Sequence, residues 1–228
     1  MRAALRMAEA ARSEPPPRRG SPALREVPPG AWWRVHAFDA TTQQCAPERF
    51  NATGLGNARF SPLQGPDGII PTLYAASTLD SALMETVLHD VPTPSQGHIH
   101  DIDRDLRSNL HASSIDITAP LRLVDLTKIG LQRMGLRVTD LFETEAADYA
   151  RTRRWAQWLH TADSTAQGLY WMSVRQPECP AILLFGGRVP ANAIRPGAAL
   201  ARPLSDATVY ACLLSLLQRL GCGVSPGR

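Results

Sequence analysis

The feature that most constrains the fold is Pro180–Phe185 (PAILLF), a run that is apolar throughout. A short continuous apolar run is typical of a strand that lies inside a sheet, with neighbours on both sides. A second segment of large residues, Gly168–Ser173, precedes it and also predicts a strand. The chain is therefore expected to build a sheet with Pro180–Phe185 near its centre.

Other segments predict the remaining elements. Aromatic and β-branched residues predict strands at Trp32–Ala37, Leu73–Ala76, Leu121–Leu126 and within His98–Asp105. Apolar residues at helical spacing predict helices over Thr78–His89, Glu145–His160 and Ser205–Leu220, the last capped by Ser205 or Asp206. Strands and helices do not alternate regularly, so the predicted class is α+β rather than a doubly wound parallel sheet.

The 228 residues suit one domain with an unusual N-terminus. Residues 1–30 are rich in proline and arginine and bury little apolar surface, which predicts a flexible leader. The folded domain is expected to span residues 31–228. The chain has no secretory signal pattern and no apolar run of about 18–20 residues, so a cytoplasmic location is expected.

Several classes of function find no support in the composition. The net charge of +3 is spread along the chain, which argues against a nucleic-acid-binding groove. The four cysteines (Cys45, Cys179, Cys212 and Cys222) form no C-x-x-C pair and have no histidine at ligand spacing, so no metal site is expected. His98 and His100, with Asp101 and Asp103 nearby, could be tested as metal ligands, but alternating polar residues on one strand face are normally solvated.

Candidate functional residues are concentrated in the stretch 57–89. Arg59 lies in a loop rich in Gly, Pro and Asn, and Tyr74 follows an apolar run. Ser77 and Asp80 fit a capping box that starts a helix, and Glu85 lies inside that helix, off the centre of its apolar stripe.

These residue types suit an anionic nucleotide with an aromatic leaving base. A guanidinium binds phosphate in a bidentate fork, and an aromatic ring can stack on a cationic heterocycle. A carboxylate can stabilise the oxocarbenium-like state formed when a glycosidic bond breaks. Two of these residues also have an ordinary structural explanation, Glu85 as a solvated helix residue and Tyr74 as part of the core, whereas Arg59 is the least easily explained as structure.

The chain resembles the RES-domain family, named for its arginine, glutamate and serine. The resemblance rests on Trp33-Arg34, the loop Gly56–Pro62, the segment Leu73–Glu85 and the two strands within Gly168–Phe185, which occur in the family's order. The loop departs from the usual Gly-Arg-Trp-Asn, since Ala58 precedes the arginine and Phe60-Ser61 follow it.

The resemblance implies an ADP-ribosyltransferase-like mixed β-sheet core with flanking helices. It also implies that NAD+ is the substrate, with no permanently bound cofactor and with inorganic phosphate as a possible co-substrate. Arg59, Glu85 and Ser173 would be the catalytic residues, and Arg34 and Tyr74 would bind the substrate. The expected role is an NAD+-degrading toxin covered by an Xre-type helix-turn-helix antitoxin. Transfer of ADP-ribose to a protein and a catalytically silent interaction module remain alternatives.

Overall fold

The computed structural model describes residues 22–38, 46–89, 91, 109–142, 148–199 and 201–222. These residues form eleven strands and five helices. The strands are β1 (Leu24–Val27), β2 (Gly30–Ala37), β3 (Leu63–Gly65), β4 (Gly68–Ile70), β5 (Thr72–Ala76), β6 (Leu110–Ile117), β7 (Leu121–Asp125), β8 (Gly168–Met172), β9 (Pro180–Phe185), β10 (Ile194–Pro196) and β11 (Arg202–Pro203). The helices are α1 (Leu79–Thr86), α2 (Lys128–Arg133), α3 (Val138–Leu141), α4 (Tyr149–Ala162) and α5 (Ala207–Arg219).

Nine strands form one mixed sheet in the order β1-β7-β8-β9-β5-β2-β6-β10, with β11 also pairing with β6. Among the described strands, β7 and β8 run parallel and the other neighbours are antiparallel. The apolar strand β9 lies between β8 and β5, as its composition predicts. The α+β class and the mixed sheet with flanking helices are confirmed.

The sheet is weakly joined between β5 and β2. These two strands share the single pair Trp33–Ala76, whereas β2 and β6 pair over the eight residues Gly30–Ala37. Since few ladder hydrogen bonds hold this seam, the sheet divides into a half that ends at β5 and a half that begins at β2.

Each face of the sheet has its own core. The first face carries Trp171, Leu183 and Phe185 and is covered by the apolar sides of α1, α4 and α5. The second face carries Leu73 and Leu184 in a smaller apolar cluster. We call these the helix face and the outer face; successive side chains of a strand point to opposite faces.

The start of the fold differs from the prediction. Strand β1 lies within the segment predicted as a flexible leader, pairs with β7 along its whole length and buries Val27. The ladder hydrogen bonds and this apolar contact stabilise a strand in residues that composition alone assigns to a flexible leader. The domain therefore begins before Ala31, while residues 1–21 lie outside the described residues.

Strand β6 was not predicted, because its sequence LHASSIDI mixes polar and apolar residues. Its buried serines have partners: Ser113 Oγ lies 2.9 Å from His36 Nε2, and Ser114 Oγ accepts the Ala199 N–H. Hydrogen bonding of this kind removes most of the cost of burying a hydroxyl in a sheet.

Helix bounds also differ. Helix α1 ends at Thr86 rather than His89, and its N-cap is Thr78 rather than Ser77. Helix α5 is capped by Asp206, one of the two residues that the sequence offered. The strand predicted within His98–Asp105 and the first residues of the helix predicted from Glu145 lie outside the described residues.

Two observations concern membrane-spanning helices and the state of the cysteines. None of the helices in the described ranges has the length and apolar character needed to cross a membrane. Cys179, Cys212 and Cys222 are free thiols, and Cys45 lies outside the described residues.

Candidate active site

Strand β5 and helix α1 place Tyr74 and Glu85. Tyr74 packs against the helix-face core, because its neighbours Leu73 and Ala75 belong to the outer face. After β5 the Thr78 hydroxyl accepts the Ser81 N–H at 3.1 Å, which fixes the start of α1. The helix buries Ser81–Met84 and leaves Glu85 half-buried at the edge of the covered surface.

The loop that carries Arg59 is tied to β5 at two points. The Phe60 N–H donates to the Tyr74 hydroxyl at 2.9 Å, and the Ser61 and Thr72 hydroxyls lie 2.9 Å apart. The Phe60 side chain is fully buried. These contacts anchor the two residues that directly follow Arg59, so the Arg59 side chain starts from a fixed backbone.

The Arg59 guanidinium lies against α3 and α4. Its Nη1 donates to the carbonyls of Leu141 at 3.1 Å and Phe142 at 2.6 Å. Its Cζ lies 5.7 Å from the ring centroid of Phe142 and 5.5 Å from that of Tyr149. Carbonyls at a helix end and aromatic faces both attract a cation, so this environment holds a positive charge at a half-buried position.

Glu85 receives a hydrogen bond from a buried indole. Trp171 Nε1 donates to Glu85 Oε2 at 3.4 Å, and the Trp171 side chain is 1% exposed. The indole ring packs edge-on against Phe60 and Tyr74 and lies tilted against Phe142.

Arg59, Tyr74 and Glu85 therefore lie around one aromatic cluster. The charges of Arg59 and Glu85 are both close enough to influence the Tyr74 hydroxyl. Burial, the dominant cause, raises the pKa of Tyr74 above its ordinary value, so the hydroxyl remains protonated near neutral pH. The structure thus brings together a cation, an aromatic side chain and a carboxylate, which are three of the predicted site residues.

Sequence reasoning missed three aromatic neighbours, Phe142, Tyr149 and Trp171, and a histidine, His89. Tyr149 contacts Arg59 and also stacks on His89, with ring centroids 6.0 Å apart and an interplanar angle of 19°. His89 Nδ1 lies 2.8 Å from the Thr86 carbonyl oxygen; because that oxygen only accepts, Nδ1 carries the hydrogen. No local sequence pattern links His89 to Tyr149, or Glu85 to Trp171.

Ser173 lies two residues beyond Trp171 and is fully buried. Its N–H donates to the Cys179 carbonyl at 2.9 Å, and its hydroxyl accepts the Gln176 N–H at 3.3 Å. Arg175 in the same turn donates to the carbonyls of His89 and Val91 beyond α1. The turn is therefore fastened to the end of α1, and the hydroxyl of Ser173 stabilises the turn. A role of Ser173 in ligand binding stays a prediction.

The structure does not bring Arg34 to Arg59 and Glu85. In strand β2, Trp32 belongs to the outer face and Val35 to the helix face, so Arg34 lies on the outer face. It is buried there, and its Nη1 donates to the carbonyls of Pro47 and Arg49. To bind a substrate beside Glu85, Arg34 would have to leave these carbonyls.

No cluster of three or more histidine, cysteine or acidic residues within the described ranges could hold a metal ion. His98 and His100 lie outside these ranges.

Comparison with known proteins agrees with the fold. The chain is similar to a chain in the crystal structure of the M. tuberculosis MbcT–MbcA toxin–antitoxin complex, with 16% identity and a TM-score of 0.53. The match covers 81% of this chain and 88% of that chain. At this identity the likeness concerns the fold, that of an α+β domain with a divided mixed sheet. A search of curated proteins finds no match.

The family is established by sequence. The RES domain model matches residues 31–205, most of the chain. This protein therefore belongs to the RES domain family, as its motifs suggested.

Proposed function

We propose that this protein cleaves the bond between nicotinamide and ribose in NAD+. The observation that carries the proposal is the arrangement of Arg59, Tyr74 and Glu85 around one aromatic cluster, with Glu85 held by the Trp171 indole. Membership of the RES family supports NAD+ as the substrate.

Each side chain has a distinct task in this proposal. Arg59 binds a phosphate oxygen of the dinucleotide, and the Tyr74 ring packs against the nicotinamide. Glu85 accepts a hydrogen bond from a ribose hydroxyl and stabilises the positive charge that develops at the anomeric carbon. The electron pair of the breaking C–N bond passes to the nicotinamide nitrogen, which loses its positive charge, so the leaving group needs no proton.

The acceptor completes the reaction at the anomeric carbon. A phosphate oxygen gives ADP-ribose 1″-phosphate, and water gives ADP-ribose with release of a proton. Transfer to a protein side chain is the alternative outcome. Ser173, through its turn beside α1, is proposed to bind the acceptor anion or a substrate phosphate, and Arg34 is not needed in this arrangement.

We further propose that the protein is the toxin of a toxin–antitoxin pair and that an Xre-type helix-turn-helix antitoxin neutralises it in the cytoplasm. The fold similarity to a chain of the MbcT–MbcA toxin–antitoxin complex supports an antitoxin partner. Co-expression with an Xre-type helix-turn-helix antitoxin should restore growth that the protein alone arrests. Arrest that persists despite a stable complex would contradict neutralisation.

Nicotinamide release tests the enzymatic proposal. The purified protein is incubated with NAD+ with and without inorganic phosphate, and the products are followed by NMR. Phosphate-dependent release together with a sugar phosphate indicates phosphorolysis, whereas release that is indifferent to phosphate indicates hydrolysis. A mass increase of one ADP-ribose on an added protein indicates transfer. Absence of all three from folded protein would contradict the proposal.

A further inference from the structure

We propose that Trp171 is a positioning residue that holds Glu85 in its reactive orientation. This inference rests on the proposed function and assigns a task to a residue that belongs to neither the arginine–glutamate–serine set nor the predicted substrate-binding pair.

The first step concerns the rigidity of the indole. Trp171 is 1% exposed, and three rings surround it: Phe60 at 5.4 Å, Tyr74 at 6.0 Å and Phe142 at 6.3 Å between centroids. The first two meet it nearly at right angles, at 73° and 80°. A ring held from several directions cannot rotate about χ2 without displacing its neighbours, so the direction of its N–H is fixed.

The backbone beneath Trp171 is also fixed. Strand β8 approaches β9 so closely at Gly168 that an added Cβ would lie 2.1 Å from the Leu183 carbonyl oxygen. The ladder then pairs Trp171 with Ala181, whose small side chain shares the helix face with the indole. The position of the indole is therefore set by close strand pairing as well as by ring contacts.

The second step concerns the two oxygens of Glu85. Oε2 accepts the indole N–H at 3.4 Å, and within the described residues this is the hydrogen bond that the Glu85 side chain makes. An indole nitrogen donates and cannot accept, so Trp171 cannot exchange a proton with the carboxylate. Its contribution is orientation: Oε2 is occupied by a fixed donor, and Oε1 is presented to the ligand.

The arrangement suits a carboxylate that must stabilise a transient cation. Such a group acts best when it is already oriented before the charge develops. Without a fixed donor, the half-buried Glu85 side chain would populate other rotamers for part of the time. Trp171 thus acts through Glu85 on the rate of bond cleavage rather than on the affinity for NAD+.

The chain offers a matched control for the test. Trp155 in α4 is 2% exposed, and its Nε1 is buried without a hydrogen-bond partner in the described part of the chain. Trp171→Phe and Trp155→Phe therefore make the same chemical change at equal burial. The first removes the bond to Glu85, and the second removes an N–H that binds nothing described.

The experiment measures kcat and KM for nicotinamide release in both variants. Trp171→Phe is expected to lower kcat about ten- to a hundredfold, the range for a lost hydrogen bond to a charged group, with KM changed less than about twofold. Trp155→Phe is expected to keep kcat within about twofold. In a Glu85→Gln background, Trp171→Phe should cause little further loss, since a residue that acts through Glu85 is not additive with it. Equal kcat values for the two tryptophan variants, or a fully additive loss, would overturn the positioning role.

A second readout separates this inference from the proposed function. The ¹⁵N-labelled indole N–H signal of Trp171 should shift in Glu85→Ala, which removes the acceptor, while that of Trp155 should not. If the wild type releases no nicotinamide but the signal shifts, the contact is correct and the proposed reaction is wrong, which also overturns the positioning role of Trp171 in that reaction. If the wild type is active and the signal does not shift, the hydrogen bond that carries this inference is wrong.

Discussion

The Tyr74 hydroxyl accepts a hydrogen bond from the Phe60 backbone N–H at 2.9 Å. This bond joins the middle of β5 to the loop that carries Arg59, while the Tyr74 ring packs edge-on against Trp171. One side chain therefore connects the residues that hold both the cation and the carboxylate of the site.

Removing that hydroxyl should destabilise the loop. Tyr74→Phe keeps the ring but leaves the Phe60 N–H without its acceptor, which should lower the free energy of unfolding by about 1 to 3 kcal/mol. Urea unfolding followed by fluorescence measures the change. Tyr170→Phe is the control, because Tyr170 packs against the outer-face core and, among the described residues, its hydroxyl donates to the Met172 sulfur at 3.9 Å. An equal loss in both variants would contradict the structural role of the Tyr74–Phe60 bond.

Arg59→Lys should weaken NAD+ binding. A lysine keeps the charge but lacks the planar fork that can serve the Leu141 and Phe142 carbonyls and a phosphate together. We expect KM for NAD+ to rise about tenfold, the effect of about one charge-assisted hydrogen bond. The matched control is Arg154→Lys on the exposed side of α4. An unchanged KM in Arg59→Lys would remove Arg59 from the substrate-binding set.

Stability should fall as the pH is lowered from about 6.5 towards about 4. Burial, assisted by the charge of Arg34, lowers the pKa of His36 from 6.5 to about 4. Burial, assisted by Arg188, likewise lowers the pKa of His160 from 6.5 to about 4. Both folded pKa values lie below the unfolded value, so the unfolded chain binds protons first and the free energy of unfolding decreases in this interval.

His160 provides the specific test of this pH dependence. Arg188 Nη2 donates to His160 Nδ1 at 3.2 Å, a bond that protonation of Nδ1 would abolish. His160→Gln should therefore unfold with a weaker pH dependence between pH 4 and 6.5 than the wild type, as measured by urea midpoints at several pH values. An identical pH dependence in the variant would show that His160 does not titrate on unfolding in this interval.

Helix α1 should depend on Thr78 and hardly on Ser77. The Thr78 hydroxyl accepts the Ser81 N–H, so Thr78→Ala should cost about 1 kcal/mol of unfolding free energy. Ser77→Ala should cost less than half as much, although the sequence pattern favours Ser77 as the cap. A larger loss of unfolding free energy in Ser77→Ala than in Thr78→Ala, measured by thermal or urea unfolding, would show that Ser77 is the N-cap, as the sequence pattern suggested.

The sequence was sufficient to predict elements whose structure is determined by their own local residue pattern. The apolar run of β9 predicted a central strand, and Asp206 was among the predicted caps of α5. It was insufficient to predict strands that form only because they pair with a strand distant in the chain. Strands β1 and β6 look polar or irregular in isolation and exist because β7 and β2 supply their hydrogen bonds.

The same distinction applies to the site. Arg59, Tyr74 and Glu85 lie close together in the chain, so their convergence could be expected from a loop, a strand and a helix in succession. The face on which Arg34 lies depends on which side of β2 meets the helices, and no local pattern decides that. Trp171 and Tyr149 reach the site from distant elements, and their contacts with Glu85 and Arg59 arise only from the tertiary fold.

The most direct test of the central claim compares Glu85→Gln with Glu26→Gln in nicotinamide release from NAD+. Glutamine keeps the size of Glu85 and can still accept the Trp171 N–H, but it lacks the negative charge that should stabilise the cationic transition state. Glu26 is exposed on β1 and serves as the matched control. We predict that release falls at least about a hundredfold in Glu85→Gln, the usual scale for losing an electrostatic stabiliser, and is unchanged in Glu26→Gln. Release at the wild-type rate from folded Glu85→Gln would contradict the assignment of Glu85 to the reaction centre.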